Sequence, residues 1–212
     1  MLRPRNHHQA RRQLDLLLAA GLVHVELAVE ATEAWVSMAR SLVADFPTLR
    51  LGVASVRCDA HLDAAQAAGL RYAVSPVLDR SLLERARASA LPLVPGVMTP
   101  SEVHRAVQWG ARLVKLFPAQ AIGIGYWRSL QGPLGPLPFC IAAGGLTLDD
   151  VEPWLAAGVD AVAVGSSLFG SSGGGRASVE GSAPSLPQHP HDLPGLLSRL
   201  RQLRETAWRA SG

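Results

Sequence analysis

Apolar residues along this chain alternate between two spacings. Leu14, Leu17 and Leu18 mark one face of a first helix, which Gly21 ends in the left-handed conformation that suits glycine after a last turn. Leu22-Val-His-Val-Glu-Leu27 then reads as a strand. Trp35, Met38, Ala39, Leu42, Val43 and Phe46 recur at intervals of three and four, the signature of an amphipathic helix. Short strands are predicted around 49–54, 71–74, 92–94, 112–116, 138–142 and 161–164, with helices between them. Thr99-Pro-Ser-Glu102 is a capping box with proline at the first helical position, and Thr147 caps a helix holding Val151, Trp154 and Leu155.

A phrase of small residues, a glycine and an apolar strand recurs as Ala19-Ala-Gly-Leu22, Ala67-Ala-Gly-Leu70, Gln108-Trp-Gly-Ala111 and Ala156-Ala-Gly-Val159. Each glycine stops a helix and feeds a strand. The pattern amounts to eight helical segments and seven strands. Parallel strands buried on both faces and joined by helices make an α/β fold, and eight units point to a (β/α)8 TIM barrel. Only Met1 and Leu2 precede Arg3-Pro-Arg-Asn, so the first strand is truncated. Leu2-Arg3-Pro4 reads as the last residues of a normal first strand, which suggests a start lying upstream. The expected organisation is one barrel domain over 1–212, with a flexible Gly/Ser/Pro-rich loop at 170–193 before a last helix at 193–209.

With 48% apolar and 17% charged residues, the 212-residue chain has the material for one substantial core. The net charge of +3 is spread, apart from a small cluster at Arg3, Arg5, Arg11 and Arg12. This favours small anionic substrates and argues against nucleic acid as a partner. Cys58 and Cys140 lack metal-ligand spacing and read as reduced, mostly buried thiols. The seven histidines form no pair or cluster with ligand spacing, so no metal site is expected. No secretory or membrane-spanning segment is visible, and a cytoplasmic location is expected.

One feature of composition bears directly on chemistry. Of the twenty basic side chains all but one are arginine, and the exception is Lys115, inside an apolar run. A desolvated lysine can lose its proton near neutrality and attack a carbonyl, which arginine cannot do. Lys115 is therefore a candidate Schiff-base nucleophile, set against a lysine snorkelling from a strand end. In a βα barrel the chemistry sits at the C-terminal ends of the strands. Those ends carry Glu26, Ser55, Ser75-Pro76, Pro95-Gly96, Lys115 with Phe117, Ala143-Gly144-Gly145 and Gly165-Ser166-Ser167. Glycines after the last two strands stand where barrels commonly hold phosphate. Glu26 alternates with Val25 and Leu27 and is a candidate general acid/base, or else the partner of a barrel arginine. His24 shares its face and reads as a hydrogen-bonded core histidine.

Pro95-Gly-Val-Met-Thr-Pro-Ser-Glu102 followed by Leu113-Val-Lys-Leu-Phe-Pro118 resembles the 2-keto-3-deoxy-6-phosphogluconate (KDPG) aldolases and their bifunctional 4-hydroxy-2-oxoglutarate aldolase relatives. Val25-Glu-Leu27, Tyr72-Ala-Val-Ser-Pro76, Ala143-Gly-Gly-Leu146 and Val164-Gly-Ser-Ser167 follow in the matching order. The resemblance implies a class I aldolase without metal or other cofactor, usually a homotrimer. Such an enzyme cleaves KDPG to pyruvate and glyceraldehyde 3-phosphate, or acts on another 2-keto-3-deoxy acid. It implies Lys115 as Schiff-base residue, Glu26 as proton relay, and Phe117 and Pro76 as walls of the pyruvate pocket. Ser55 stands in place of a usual threonine, Ser166 and Ser167 with Gly144, Gly145 and Gly165 stand at the phosphate site, and Arg3 matches an arginine at the first strand's end. Three departures bear on substrate identity: Glu30 where many members carry a substrate-contacting arginine, and Ala28 and Ala143 in place of threonines. They and the short first strand leave a second reading, a non-catalytic barrel that binds a phosphorylated metabolite.

Overall fold

A computed structural model describes residues 1–165 together with Leu168 and Phe169. The predicted loop at 170–193, the last helix, Ser166 and Ser167 lie outside the described residues. In chain order the elements are α1 (His7–Ala19), β1 (His24–Ala28), α2 (Glu33–Asp45), β2 (Arg50–Ala54), α3 (Asp59–Ala67), β3 (Ala73–Val74) and α4 (Arg80–Ala88). There follow β4 (Leu93–Val94), β5 (Gly96–Val97), α5 (Pro100–Gln108), β6 (Leu113–Leu116) and the short helices α6 (Ala119–Ile122), α7 (Tyr126–Ser129) and α8 (Gln131–Leu134). Next come β7 (Phe139–Ala143), a 3-10 turn (Leu148–Asp150), α9 (Val151–Ala156) and β8 (Ala161–Ala163).

Every ladder is parallel, in the orders β1-β2-β3-β4 and β5-β6-β7-β8. The strand predicted at 92–94 forms as β4, and a further short strand, β5, follows it across Pro95, which has no N–H to give to a ladder. Its carbonyl still accepts from the Lys115 N–H at 2.8 Å, so the chain direction carries through the break. The first strand is reduced to one parallel bridge. Leu2 N–H donates to the Glu26 carbonyl at 2.7 Å and Ala28 N–H to the Leu2 carbonyl at 2.9 Å. On the other side the Met1 ammonium donates to the Val164 carbonyl at 2.9 Å. Two residues therefore span the gap between β8 and β1, and Leu2 sits where the end of a first strand was expected.

The recurring glycines do what their phrase implies. Gly21, Gly69, Gly110 and Gly158 all have φ between 74° and 96°. In each case the next residue's N–H reaches back five residues, as Leu22 does to Leu17 and Leu70 to Ala65. This closes the helix ends in Schellman geometry. The Thr99–Glu102 capping box forms as predicted. Between β6 and β7, Gly123 and Gly135 take φ of 92° and 72°, and three short helices replace the one expected.

Outward-facing strand residues pack against the helices. Leu27, Leu51 and Val53 meet Leu14, Leu42 and Leu62 in one half, whereas Val114, Leu116 and Cys140 meet Val103 and Trp154 in the other. Phe169, beyond β8, joins the first group and ties the two ends of the ring by apolar contact. Alternation along each strand then turns Glu26 and Lys115 to the barrel interior.

Gly96 marks a forced close approach, since a Cβ there would lie 2.4 Å from the Pro76 carbonyl carbon. Backbone cannot swing aside as a side chain would. Gly96→Ala is expected to lower the urea unfolding free energy by about 1–3 kcal/mol. Gly125, at φ −80° and ψ −11° with nothing within 4 Å of its would-be Cβ, provides the contrast. Gly125→Ala is expected to stabilise by about 0.4–1 kcal/mol.

Candidate active site

β6 carries Lys115 into the barrel at 8% exposure. Its Nζ lies 4.4 Å from the centroid of the Phe117 ring, whose negative face attracts the ammonium. Phe117 holds that position because Gly144 gives way to it. A Cβ on Gly144 would lie 2.8 Å from the ring and 3.1 Å from Pro118 Cα, and the residue's φ of 100° also requires glycine. Among the described residues, Lys115 makes no ion pair within 4.0 Å. Burial pushes its pKa down from the ordinary 10.5; the nearby Glu26 charge opposes this shift and Arg3 reinforces it.

Glu26 lies half-buried on β1, opposite Gly52 in the parallel register. The side chain that Gly52 lacks is replaced by the Tyr72 ring, whose atoms would sit 2.5 Å from a Cβ at position 52. Burial, and then the Glu26 charge, raise the Tyr72 phenol above its usual range. Tyr72 thus stays a neutral hydroxyl beside the carboxylate. The Met1 ammonium is also felt here. Burial lowers its pKa, Glu26 opposes that, and Lys115 adds to it.

Around this centre the remaining predicted residues fall into two groups. On one side, Arg3 Nη2 donates to Ser55 Oγ at 3.2 Å, and Ser55 takes a left-handed φ of 66°. Pro76 is half-buried at the end of β3, where the buried Ser75 hydroxyl accepts from the Val77 N–H at 3.1 Å. On the other side, Gly144 and Gly145 (φ 82°) follow β7, and the Gln120 side chain crowds the Gly145 face. Gly165 follows β8, and no atom of the described residues lies within 4 Å of its would-be Cβ. Glu30 is exposed, whereas Ala28 and Ala143 are buried.

Two expectations need correcting. His24 is exposed at the N-terminal end of β1, not in the core. That end of the strand opens to solvent, and the imidazole makes a tilted 5.9 Å ring contact with Tyr72. Cys58 is exposed too, because it is the N-cap residue of α3, outside the strand. Cys140 is buried, and burial followed by Asp160 pushes its thiol pKa up to about 12. Tyr72 and Gln120 were not singled out from sequence. Their roles arise from what they touch across the barrel, and only the placement of Tyr72 in a strand-end motif hinted at one of them. No group of three metal-ligating side chains occurs among the described residues, nor any helix long and apolar enough to cross a membrane.

Parallel βα units around a buried amine and a carboxylate define a βα barrel with a candidate site at its strand ends. Residues 1–176 match the family described as "Aldolase: KDPG and KHG aldolase", and the chain belongs to that family. It is 34% identical over 141 residues to the 2-dehydro-3-deoxy-phosphogluconate aldolase of Dickeya dadantii (strain 3937), covering 66% of this chain and 65% of that protein. The KHG/KDPG aldolase of Escherichia coli (strain K12) is 31% identical over 140 residues, with the same coverages of 66% and 65%. The match therefore spans just under two thirds of the length of these relatives. KDPG aldolase from Legionella pneumophila, solved with pyruvate captured at low pH as a covalent carbinolamine intermediate, superposes with a TM-score of 0.74 at 23% identity. That superposition covers 98% of this chain and 91% of the other, and it shows the shared TIM-barrel fold.

A lysine held below its ordinary pKa affects stability with a definite sign. Below its folded pKa the amine is charged in both states, and the folded state bears the full cost of burying the charge. Between the lowered folded value and 10.5 the unfolded chain binds more protons, so stability from this group rises with pH. Lys115→Met is accordingly expected to raise the melting temperature near neutral pH, with the gain shrinking as pH approaches 10.5. Thermal unfolding of both proteins across that range checks the slope; a gain independent of pH would contradict it.

Proposed function

We propose that this protein is a class I aldolase that cleaves KDPG to pyruvate and glyceraldehyde 3-phosphate. The observation that carries the proposal is the buried Lys115 amine, with its pKa lowered by burial, sharing the barrel interior with Glu26. Relatives named as 2-dehydro-3-deoxy-phosphogluconate and KHG/KDPG aldolases support the substrate class. The latter name also keeps 4-hydroxy-2-oxoglutarate as a second substrate. A non-catalytic barrel is not favoured, since the relatives are named as enzymes and Lys115 is in place.

In this reading the neutral Lys115 amine adds to C2 of the 2-keto acid, and the resulting carbinolamine loses water to give a protonated imine. Glu26, directly or through a water, takes the proton of the C4 hydroxyl. The C3–C4 bond then breaks, its electron pair moves to the imine nitrogen as an enamine, and the aldehyde departs. The same carboxylic acid returns a proton to C3, and water hydrolyses the imine to release pyruvate. Phe117 and Pro76 are assigned to the walls of the pyruvate pocket. Gly144, Gly145 and Gly165, with Ser166 and Ser167, are assigned to the phosphate. Arg3 and Ser55 belong to the substrate site. A single barrel domain over 1–212, a homotrimer and a cytoplasmic location complete the proposal.

The test is reductive trapping. Borohydride with pyruvate should give one covalent adduct by intact mass, located at Lys115 and not at the terminal amine by peptide mapping. Lys115→Arg should abolish that adduct and lower cleavage at least a thousandfold, whereas a folded native protein without an adduct sinks the proposal. Glu26→Gln should slow KDPG cleavage by roughly 10²–10⁴-fold while imine formation falls far less. Equal loss of both would remove Glu26 from the role of proton relay.

A further inference from the structure

The barrel interior holds a polar side chain that the proposed chemistry leaves idle. Tyr72 precedes β3, and its carbonyl accepts from the Val53 N–H of β2 at 2.9 Å. Its ring leans sideways over β2, with Cε2 and Cζ each 2.5 Å from where Gly52 would carry a Cβ. Beyond β2 it reaches the inner face of β1, where its centroid lies 5.9 Å from that of the His24 imidazole. Gly52 is the register partner of Glu26, and His24 stands two residues before Glu26 on the same face. The ring therefore spans from β3 to β1 beside Glu26, and His24 packs on it from the N-terminal end of the strands.

No direct hydrogen bond joins Tyr72 to Glu26 among the described residues, yet the Glu26 charge is felt at the phenol. Both side chains are half-buried, which leaves room for a water between their polar atoms. The end of the barrel at the strand starts is open. Val114 and Cys140 face the helices, so their neighbours Leu113 and Phe139, paired in register, point inward. These two are 42% and 45% exposed, and His24 is exposed with them. Solvent thus stands one layer, roughly 6.6 Å along β1, from Glu26. It lies on the side opposite the mouth, where substrate would enter.

We infer that Tyr72 is a positioning residue for proton exchange: its hydroxyl, carried across Gly52, holds a water against the Glu26 carboxyl group and links it to solvent at the His24 end of the barrel. The inference rests on the Schiff-base reading of Lys115 with Glu26 as proton relay. It adds the route by which that relay is reset while substrate fills the mouth. With pyruvate bound as the protonated imine, a C3–H bond breaks and its electron pair forms the C2–C3 double bond of the enamine. The imine pair passes to nitrogen, and the Glu26 carboxylate takes the proton. The bridging water accepts that proton and gives back another, so the charge of the carboxyl group is unchanged. In D2O the proton given back is a deuteron, which enters C3 when the enamine is reprotonated. The phenol stays neutral throughout, because burial and the Glu26 charge disfavour its ionisation. It serves as a hydrogen-bond partner of the water and not as a base.

The experiment compares two rates with pyruvate in D2O: deuterium entry into its methyl group, followed by NMR, and borohydride trapping at Lys115. The native protein should show both, and Glu26→Gln should lose most of the exchange. Tyr72→Phe keeps the ring over Gly52 and removes the hydroxyl alone. It should leave trapping unchanged and slow exchange roughly three- to tenfold, the worth of one hydrogen bond. Added imidazole, a small proton carrier that can replace the missing link, should restore exchange in Tyr72→Phe and leave the native rate alone. A merely structural defect would not respond to it. Unchanged exchange in Tyr72→Phe, a parallel loss of trapping, or a loss that imidazole does not restore each overturns the inference. Should Tyr72→Phe fail to fold, Gly52→Ala, whose Cβ displaces the ring, is judged by the same three outcomes. Exchange lost in Glu26→Gln but untouched in Tyr72→Phe overturns the role of Tyr72 alone. Exchange untouched in Glu26→Gln removes Glu26 from the relay and Tyr72 with it, and no adduct in the native protein overturns the Schiff-base reading itself.

Discussion

The structure depends on the burial of one amine. Lys115 sits on a strand whose neighbours Val114 and Leu116 face the helices and are fully buried, so its own side chain has only the barrel interior to enter. There it has an aromatic face at 4.4 Å, the Glu26 charge opposing its loss of a proton, and no ion pair among the described residues. A tight carboxylate partner would hold the ammonium charged and unreactive. Burial with the nearby carboxylate held beyond ion-pairing distance depresses the pKa and favours the neutral amine, at some cost to the stability of the fold.

The surroundings of that amine are set largely by glycines where backbones meet. Gly144 yields its side-chain space to Phe117, Gly52 yields to Tyr72, and Gly96 lets its strand pass against the Pro76 carbonyl. Each close approach places a different wall of the site: the ring beside Nζ, the neutral phenol beside Glu26, and the proline turn at the end of β3. The Pro95 break belongs to the same economy. It interrupts a ladder locally, while the Pro95 carbonyl still accepts from the backbone of Lys115.

Much of this was legible in the order of residues because its causes are local. Alternation placed Glu26 on the inner face of its strand, and the recurring small-small-glycine phrase located four Schellman ends. Lys115 stood out because a single lysine among nineteen arginines invites a chemical reason. The parts that could not be read depend on contacts between distant segments. Nothing near Gly52 in sequence announces that Tyr72 fills its space, and nothing near Ser55 announces Arg3. His24 looked like a core residue because it shares the Glu26 face of its strand, but its end of the barrel opens to solvent. The strand predicted at 92–94 stopped before Pro95, and the pairing that resumes at Gly96 depends on β6 beside it.

Because the chain has one lysine, its side chain can be watched alone. With ¹³C-labelled lysine, the Cε shift of Lys115 gives a single resonance whose titration reports the ammonium directly. The account predicts a midpoint below 10.5 in the native protein and a return to the ordinary value when the chain is unfolded in urea. A native midpoint at or above 10.5 would contradict the account at its centre, because burial would then not favour the neutral amine.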